Sequence, residues 1–240
     1  MMHYHGLPIT PDVAAVEVVR AGHAFVSFAH PQQLGLAVEF AQSFALDNGA
    51  FHAWKNGSPV NDWRPYYEWV AECAMTPNCD FAVIPDVIDG NETDNDRLVE
   101  EWPLGKHLGA PVWHMHESFG RLAALVETWP RICIGSSGQF ATIGNAAWWA
   151  QMYAAMCIVC DEHGRPKCKV HGLRMLNPAI FELLPLSSAD STNIGRNVGI
   201  DKRWNGPYPP AGKPARAAVM RGRIESRNSA AVFDFNRSYP

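Results

Sequence analysis

The sequence predicts an α/β fold: a (β/α)8 TIM-like barrel followed by a basic, largely irregular C-terminal extension. Three observations predict it. Short β-prone runs recur eight times within roughly the first 190 residues, a spacing typical of strands alternating with longer elements. The stretches between the runs are long enough for helices, the signature of parallel α/β architecture. Acids, histidines and glycines directly follow the runs, at the strand ends where a barrel keeps its functional groups. The competing architecture is an open doubly wound sheet, which usually needs fewer strands.

The runs lie at residues 2–5, 24–28, 43–46, 81–84, 111–115, 131–134, 169–173 and 186–189. A first helix is expected over 11–20, with Thr10 as N-cap and Pro11 in the first turn, the favoured arrangement. Residues 63–74 place Trp63, Tyr66, Tyr67, Val70 and Cys73 or Ala74 at helical spacing. Residues 91–102 open with acids, which suits the helix dipole. Helices are also expected over 120–128 and 146–161, with a short link over 177–184. Residues 1–193 are expected to form the catalytic barrel. Residues 194–240, rich in Pro, Gly, Arg and Asn, are expected on or beside it, with a helix over 215–224. No internal repeat interrupts this order.

The chain has 240 residues, 47% hydrophobic and 18% charged, enough to bury the core of one barrel domain. It has no run of eighteen apolar residues, so no membrane span is expected. The N-terminal MMHYHGLPITPD lacks the basic-then-apolar pattern of a secretory signal. The expected location is the cytoplasm, where free thiols are the default for the six cysteines. Cys133, in RICIG, reads as a core residue. Charge is uneven: residues 1–190 hold 11 Lys/Arg against 21 Asp/Glu, residues 191–240 hold 9 against 3. A basic tail on an acidic body suggests a polyanionic partner, or a tail paired with the body's own acids.

The run ends carry the chemistry. The third is followed by Asp47-Asn48-Gly49-Ala50-Phe51 and the fourth by Pro85-Asp86, with Asp89 beyond. The fifth ends in His114-Met115-His116, the sixth in Gly135-Ser136-Ser137-Gly138-Gln139. The seventh contains His171-Gly172 and the eighth ends in Asp190. Turn chemistry accounts well for Asn48-Gly49 and Ser136-Ser137. It accounts less well for acids that directly follow apolar strands, because a buried carboxylate is costly unless hydrogen-bonded or used.

In this order the motifs resemble the tRNA-guanine transglycosylase superfamily, and more closely its smaller branch that inserts 7-deazaguanines into bacterial and phage DNA. That family's third strand ends in Asp-Ser-Gly-Gly-Phe, matched by Asp47 to Phe51. Its base-recognising Asp is matched by Asp86, its base-contacting Gln by His116, and its Gly-Gly loop by Gly135-Ser136. Its Met-Gly pair is matched by His171-Gly172 and its nucleophilic Asp by Asp190. The resemblance covers roughly residues 2–193. It departs from the family at His116 and Ser136, and no cysteine follows Cys168 to form the zinc site of the tRNA-acting members.

The resemblance implies a base-exchange enzyme without a cofactor, cytoplasmic in a bacterium or phage-infected host. Its partners would be nucleic acid, DNA before tRNA, and free guanine or 7-deazaguanine base. An accessory protein or a homodimer is compatible with it. Asp190 would be the nucleophile and Asp47 the general acid/base, the two-carboxylate logic of glycoside hydrolysis. Phe51 would stack on the base, unless it is core. Asp86 would accept from the base's N–H groups, the backbone near Gly135 and Ser136 would donate to its carbonyl, and Gln139 would assist. Arg196, Lys202, Arg203 and Arg221 would hold phosphates.

Three rival readings stay open. Cys157, Cys160, Cys168 and His171, or His163, have zinc-like spacing, although Cys157 and Cys160 also sit at helical spacing in an apolar helix. His3, His5, His114 and His116 with Asp190 suggest a metal-dependent hydrolase on the same barrel. The third is a barrel that binds nucleic acid through its tail without chemistry. The adjacent Trp148 and Trp149 mark either an interface or the core.

Overall fold

A computed structural model describes residues 1–200, 204 and 210–240 of the chain. Nine parallel strands among these residues form one sheet: β1 (Met2–Gly6), β2 (His23–Ser27), β3 (Ser43–Asp47), β4 (Cys79–Val83), β5 (Gly109–Ala110), β6 (Val112–His114), β7 (Arg131–Gly135), β8 (Lys169–Gly172) and β9 (Ser188–Ser191). Their order is β5-β4-β3-β2-β1-β9-β8-β7-β6. The two outermost strands are thus consecutive in the chain, with only Pro111 between them. Residues 108–111 bond in both directions: the Leu108 carbonyl accepts from the Ala82 N–H of β4 and the Ala110 carbonyl from the Ile84 N–H just after it, and the Pro111 carbonyl accepts from Cys133 of β7. The sheet is nearly closed into a barrel. Pro111, which has no N–H to donate, opens the run expected over 111–115, and the two-residue β5 lies just before that run, where the sequence predicts no strand.

Helices follow the strands. They are α1 (Asp12–Val19), α2 (Leu34–Phe40), α3 (Ala50–Lys55), α4 (Arg64–Cys73), α5 (Glu92–Glu100), α6 (Phe119–Thr128), α7 (Ala146–Val159), α8 (Pro178–Phe181), α9 (Asn193–Asn197) and α10 (Gly212–Glu225). α1 differs from expectation at its start. Pro11 and not Thr10 is the N-cap, and no side chain caps it. α5 carries a capping box, in which Asn91 and Asp94 each accept from the other's backbone N–H. α2 and α3 are not expected from the sequence, and the N-cap residue of neither, Gln33 or Gly49, caps its helix with a side chain.

Two apolar clusters hold the fold. The larger lies between sheet and helices; the smaller, inside the barrel, comprises Tyr4, Phe25, Ala45, Phe81, Val83, Ala110, Val112 and Cys133. Strand alternation makes this division, since successive side chains point to opposite faces. The same alternation sends His3 and His5 outward. There His3 Nε2 lies 3.0 Å from the Arg227 carbonyl and His5 Nε2 lies 3.1 Å from the Glu225 carboxylate. Trp148 and Trp149 are both buried, and Tyr239 stacks on Trp149 at 5.4 Å.

Residues 210–240 of the basic C-terminal segment carry more regular structure than their composition suggests. α10 has 14 residues, longer at both ends than the helix expected over 215–224. Beyond it the chain crosses to α7, where Tyr153 donates to the Phe235 carbonyl. The Phe233 N–H donates to the Gly164 carbonyl. Gly164 has φ +76°, and a Cβ there would lie 2.2 Å from the Phe233 carbonyl oxygen. Only glycine fits that crossing.

Candidate active site

The C-terminal ends of the strands surround a cavity of about 160 Å3. Asp47, Asp86 and Asp190 all line it, from β3, the segment after β4, and β9. Alternation explains two of them. Ala45 faces inward, so Asp47, two residues on, does too; the inward side of β9 likewise carries Ser188 and Asp190.

Asp47 accepts from Ser27 Oγ at 2.7 Å and from the Gly49 N–H at 3.2 Å. Burial pushes its pKa up to about 6, assisted by the charges of Asp190 and Asp86 and opposed by the two hydrogen bonds. No cation pairs with it among the described residues. Gly49 makes the turn possible at φ +80°, where the Ala29 backbone is 3.1 Å from any Cβ.

Asp86 is gripped on both oxygens. Asn48 Nδ2 donates to Oδ1 at 2.7 Å and His114 Nε2 to Oδ2 at 2.8 Å. Asn48 is buried, also donates to the Ile84 carbonyl, and accepts from the Ala50 N–H. Its role goes beyond the turn chemistry its sequence suggested. A second buried layer steadies His114: Glu117 accepts from the His114 N–H at 2.8 Å, from Arg121 at 2.7 Å and from Asn95 at 2.7 Å. Asn95 in turn accepts from the Val87 N–H.

Asp190 accepts from the Arg174 N–H at 2.8 Å. His171 Nε2 lies 3.4 Å from the same oxygen, and His171 Nδ1 lies 2.9 Å from Ser188 Oγ. Arg174 has φ +61°, a region costly for a residue with a Cβ and one that recurs at functional sites. Its guanidinium donates to the Ser136 carbonyl at 2.6 Å and sits 4.7 Å from the Phe51 ring centroid.

The other expected site residues fall in three groups. Phe51, Gly135, Ser136 and Arg196 line the cavity with the acids, and Phe51 is 37% exposed, so it is a rim residue and not core. His116, His171, Gly172 and Gln139 do not line it. The chain turns after β6, where the Glu117 N–H bonds to the His114 carbonyl, and this swings His116 out to Ser137 and the Gly90 carbonyl. His114 takes the inner place. His171 is fully buried beneath the site among Tyr4, Phe25 and Phe81. Gly172 packs against Met175 and Leu186, and Gln139 is exposed.

Arg221 is placed away from the mouth. It donates to the carbonyls of Glu17 and Arg20 at the C-terminal end of α1 and pairs with Glu225. Carbonyls at a helix C-terminus attract cations. Lys202 and Arg203 lie outside the described residues.

The metal-ligand readings do not survive as drawn. Cys157 is exposed on α7 and Cys160 is buried at its end, whereas His171 faces the barrel interior on the other side of the sheet. His3 and His5 face α10 and its following turn, away from Asp190. Among the described residues no group of three or more His, Cys, Asp or Glu side chains is arranged to hold a metal ion.

Arg174, Ser27 and His114, which line the cavity, and Asn48, which holds Asp86 from behind it, are residues that sequence reasoning did not place at the base site. Ser27 and His114 had a signal, being at the inward positions of strand ends. Arg174 had none, because a left-handed arginine cannot be read from residue type.

No protein-family model matches this chain, and no curated protein matches it. No helix among the described residues is long and apolar enough to cross a membrane.

Proposed function

We propose that this chain is a base-exchange transglycosylase that replaces guanine in nucleic acid, DNA before tRNA, by a 7-deazaguanine base. The observation that carries the reading is the pairing of Asp47 and Asp190 on one cavity, with Asp47 shifted to about pH 6 by its surroundings. An acid poised near neutrality can both give and take a proton.

In this reading the Asp190 carboxylate attacks C1′ as the bond from C1′ to the purine nitrogen breaks. The purine leaves with the bonding pair and takes the proton of Asp47. The incoming base then attacks C1′, Asp190 leaves with its own bonding pair, and Asp47 accepts the proton that the new base releases. Protons and electrons balance without a cofactor. Asp86, fixed by Asn48 and His114, presents carboxylate oxygens to the N–H edge of the base. Past the end of β7, Ser136 and Ser137 line the same cavity. A base within a duplex cannot reach such a pocket, so the target is flipped out or unpaired.

The test is incubation with radiolabelled guanine or 7-deazaguanine and single-stranded DNA, duplex DNA or tRNA. Label is expected in the polymer, with Asp190→Ala reducing incorporation by about 10³-fold or more, as loss of a nucleophile does. Full activity in a folded Asp190→Ala variant rules the mechanism out.

A further inference from the structure

Beside the acid-lined cavity lies a second hollow of about 570 Å3, whose wall includes Phe51, Ile88, Ser136, Ser137 and Arg174 in common with the first. Its distinctive resident is Trp54. This tryptophan is 44% exposed and lies three residues from Phe51 on α3, with the two rings 5.7 Å apart at 36°. Residues three apart share a helix face. Two large aromatic rings left open to solvent on one face, at the edge of a pocket, are an unusual surface in a chain whose tryptophans 63, 102, 113, 129, 148 and 149 are buried and whose Trp69 and Trp204 are half-buried.

We propose that Trp54 and Phe51 form a stacking ledge for the nucleobase next to the target nucleotide, so that the site takes an unpaired strand and not a free nucleoside. The inference rests on the base-exchange reading for the identity of the first cavity. The choice of occupant follows from charge and continuity. A base has an apolar π-face that suits an aromatic ledge, and stacking tolerates any base. The Arg174 guanidinium stands at the seam of the two hollows, over the Phe51 ring and bonded to the Ser136 carbonyl. A strand with one base in each hollow has its linking phosphate near that seam, where a cation suits it. His116 and Asp89 on the outer hollow's wall supply polar groups for the stacked base's edge.

The test measures binding of a short labelled single-stranded oligodeoxynucleotide to the full chain and to Trp54→Ala and Trp54→Phe, alongside binding of guanosine monophosphate. The wild type is expected to bind the oligonucleotide. Trp54→Ala should weaken it by roughly 5- to 150-fold, the range of one lost stack. Trp54→Phe should recover most of the loss, and the mononucleotide should bind all three proteins alike. Oligonucleotide binding by Trp54→Ala within about twofold of wild type overturns the proposal, and so does a wild type that binds no oligonucleotide. A dimer in sedimentation that Trp54→Ala dissociates would put a second copy on the ledge, which also overturns it. Trp54-dependent binding without any incorporation of labelled base leaves the ledge standing and removes the base-exchange reading instead.

Discussion

The two ends of this barrel treat a half-buried carboxylate in opposite ways. At the floor, Asp80 receives both arms of Arg131, at 2.9 and 3.0 Å, and the Tyr4 hydroxyl at 2.6 Å. Burial pushes its pKa up, but the Arg131 hydrogen bonds and charge and the Tyr4 bond outweigh it, and the carboxyl ends below its usual range. Arg131 also covers the Phe81 ring at 4.1 Å. At the mouth, Asp47 has one hydroxyl, one backbone N–H and two neighbouring acids, and its pKa rises to about 6. The floor carboxylate is satisfied and locks strands together; the mouth carboxylate is left partly unsatisfied and ready to react. Barrel folds divide their ends this way, with stability at the strand starts and chemistry at the strand ends.

Substitutions on each side sharpen the contrast. The largest stability effect belongs to the floor. Arg131→Met should lower unfolding free energy by about 3 kcal/mol, because it strands Asp80 without its cation; urea denaturation measures this. Asp80→Asn together with Arg131→Met should recover part of the loss.

The mouth should respond with the reverse sign. Asp47→Asn should raise stability by about 2 kcal/mol at neutral pH while abolishing exchange, since it removes a charge the fold disfavours. The pH dependence follows from the raised pKa. Between pH about 4 and 6 the unfolded carboxyl has lost its proton and the folded one retains it, so the contribution of Asp47 to stability falls as pH rises through that window and is level above it. The advantage of Asp47→Asn should therefore open across that window and vanish below it. Melting curves from pH 3 to 8 check both statements.

Ser27→Ala is the smallest change and the finest probe. It removes a bond that holds the Asp47 pKa down, so the limb of the pH–rate profile near 6 should move upward. Stability should change by about 1 kcal/mol, the usual size for one hydrogen bond. A limb that stays in place would separate Asp47 from the titration that governs rate.

Strand positions were legible because a parallel strand covered on both faces is a short, nearly continuous apolar run ended by polar residues. Asp47 and Asp190 could be found for the same reason: each is an acid directly at the end of such a run. His116 could not be told from His114, because both keep the parity of β6, and only the turn at 114–117 sends one in and the other out. The zinc-like spacing of Cys157 and Cys160 with His171 misleads for a related reason. Nearness in sequence says nothing about which side of a sheet a side chain faces.

The sequence by itself determined the alternation of strands and helices, the acids at three strand ends and the basic character of the last fifty residues. These depend on local periodicity and composition, which the chain carries wherever it folds. Only the tertiary structure decided the rest: the bond between Asp80 and Arg131, 51 residues apart; the left-handed Arg174 over Phe51; and the return of α10 onto the outward histidines of β1. Each joins groups distant in the chain. The free energy that selects such a contact comes from burying both partners together, which neither partner's own neighbours in sequence can encode.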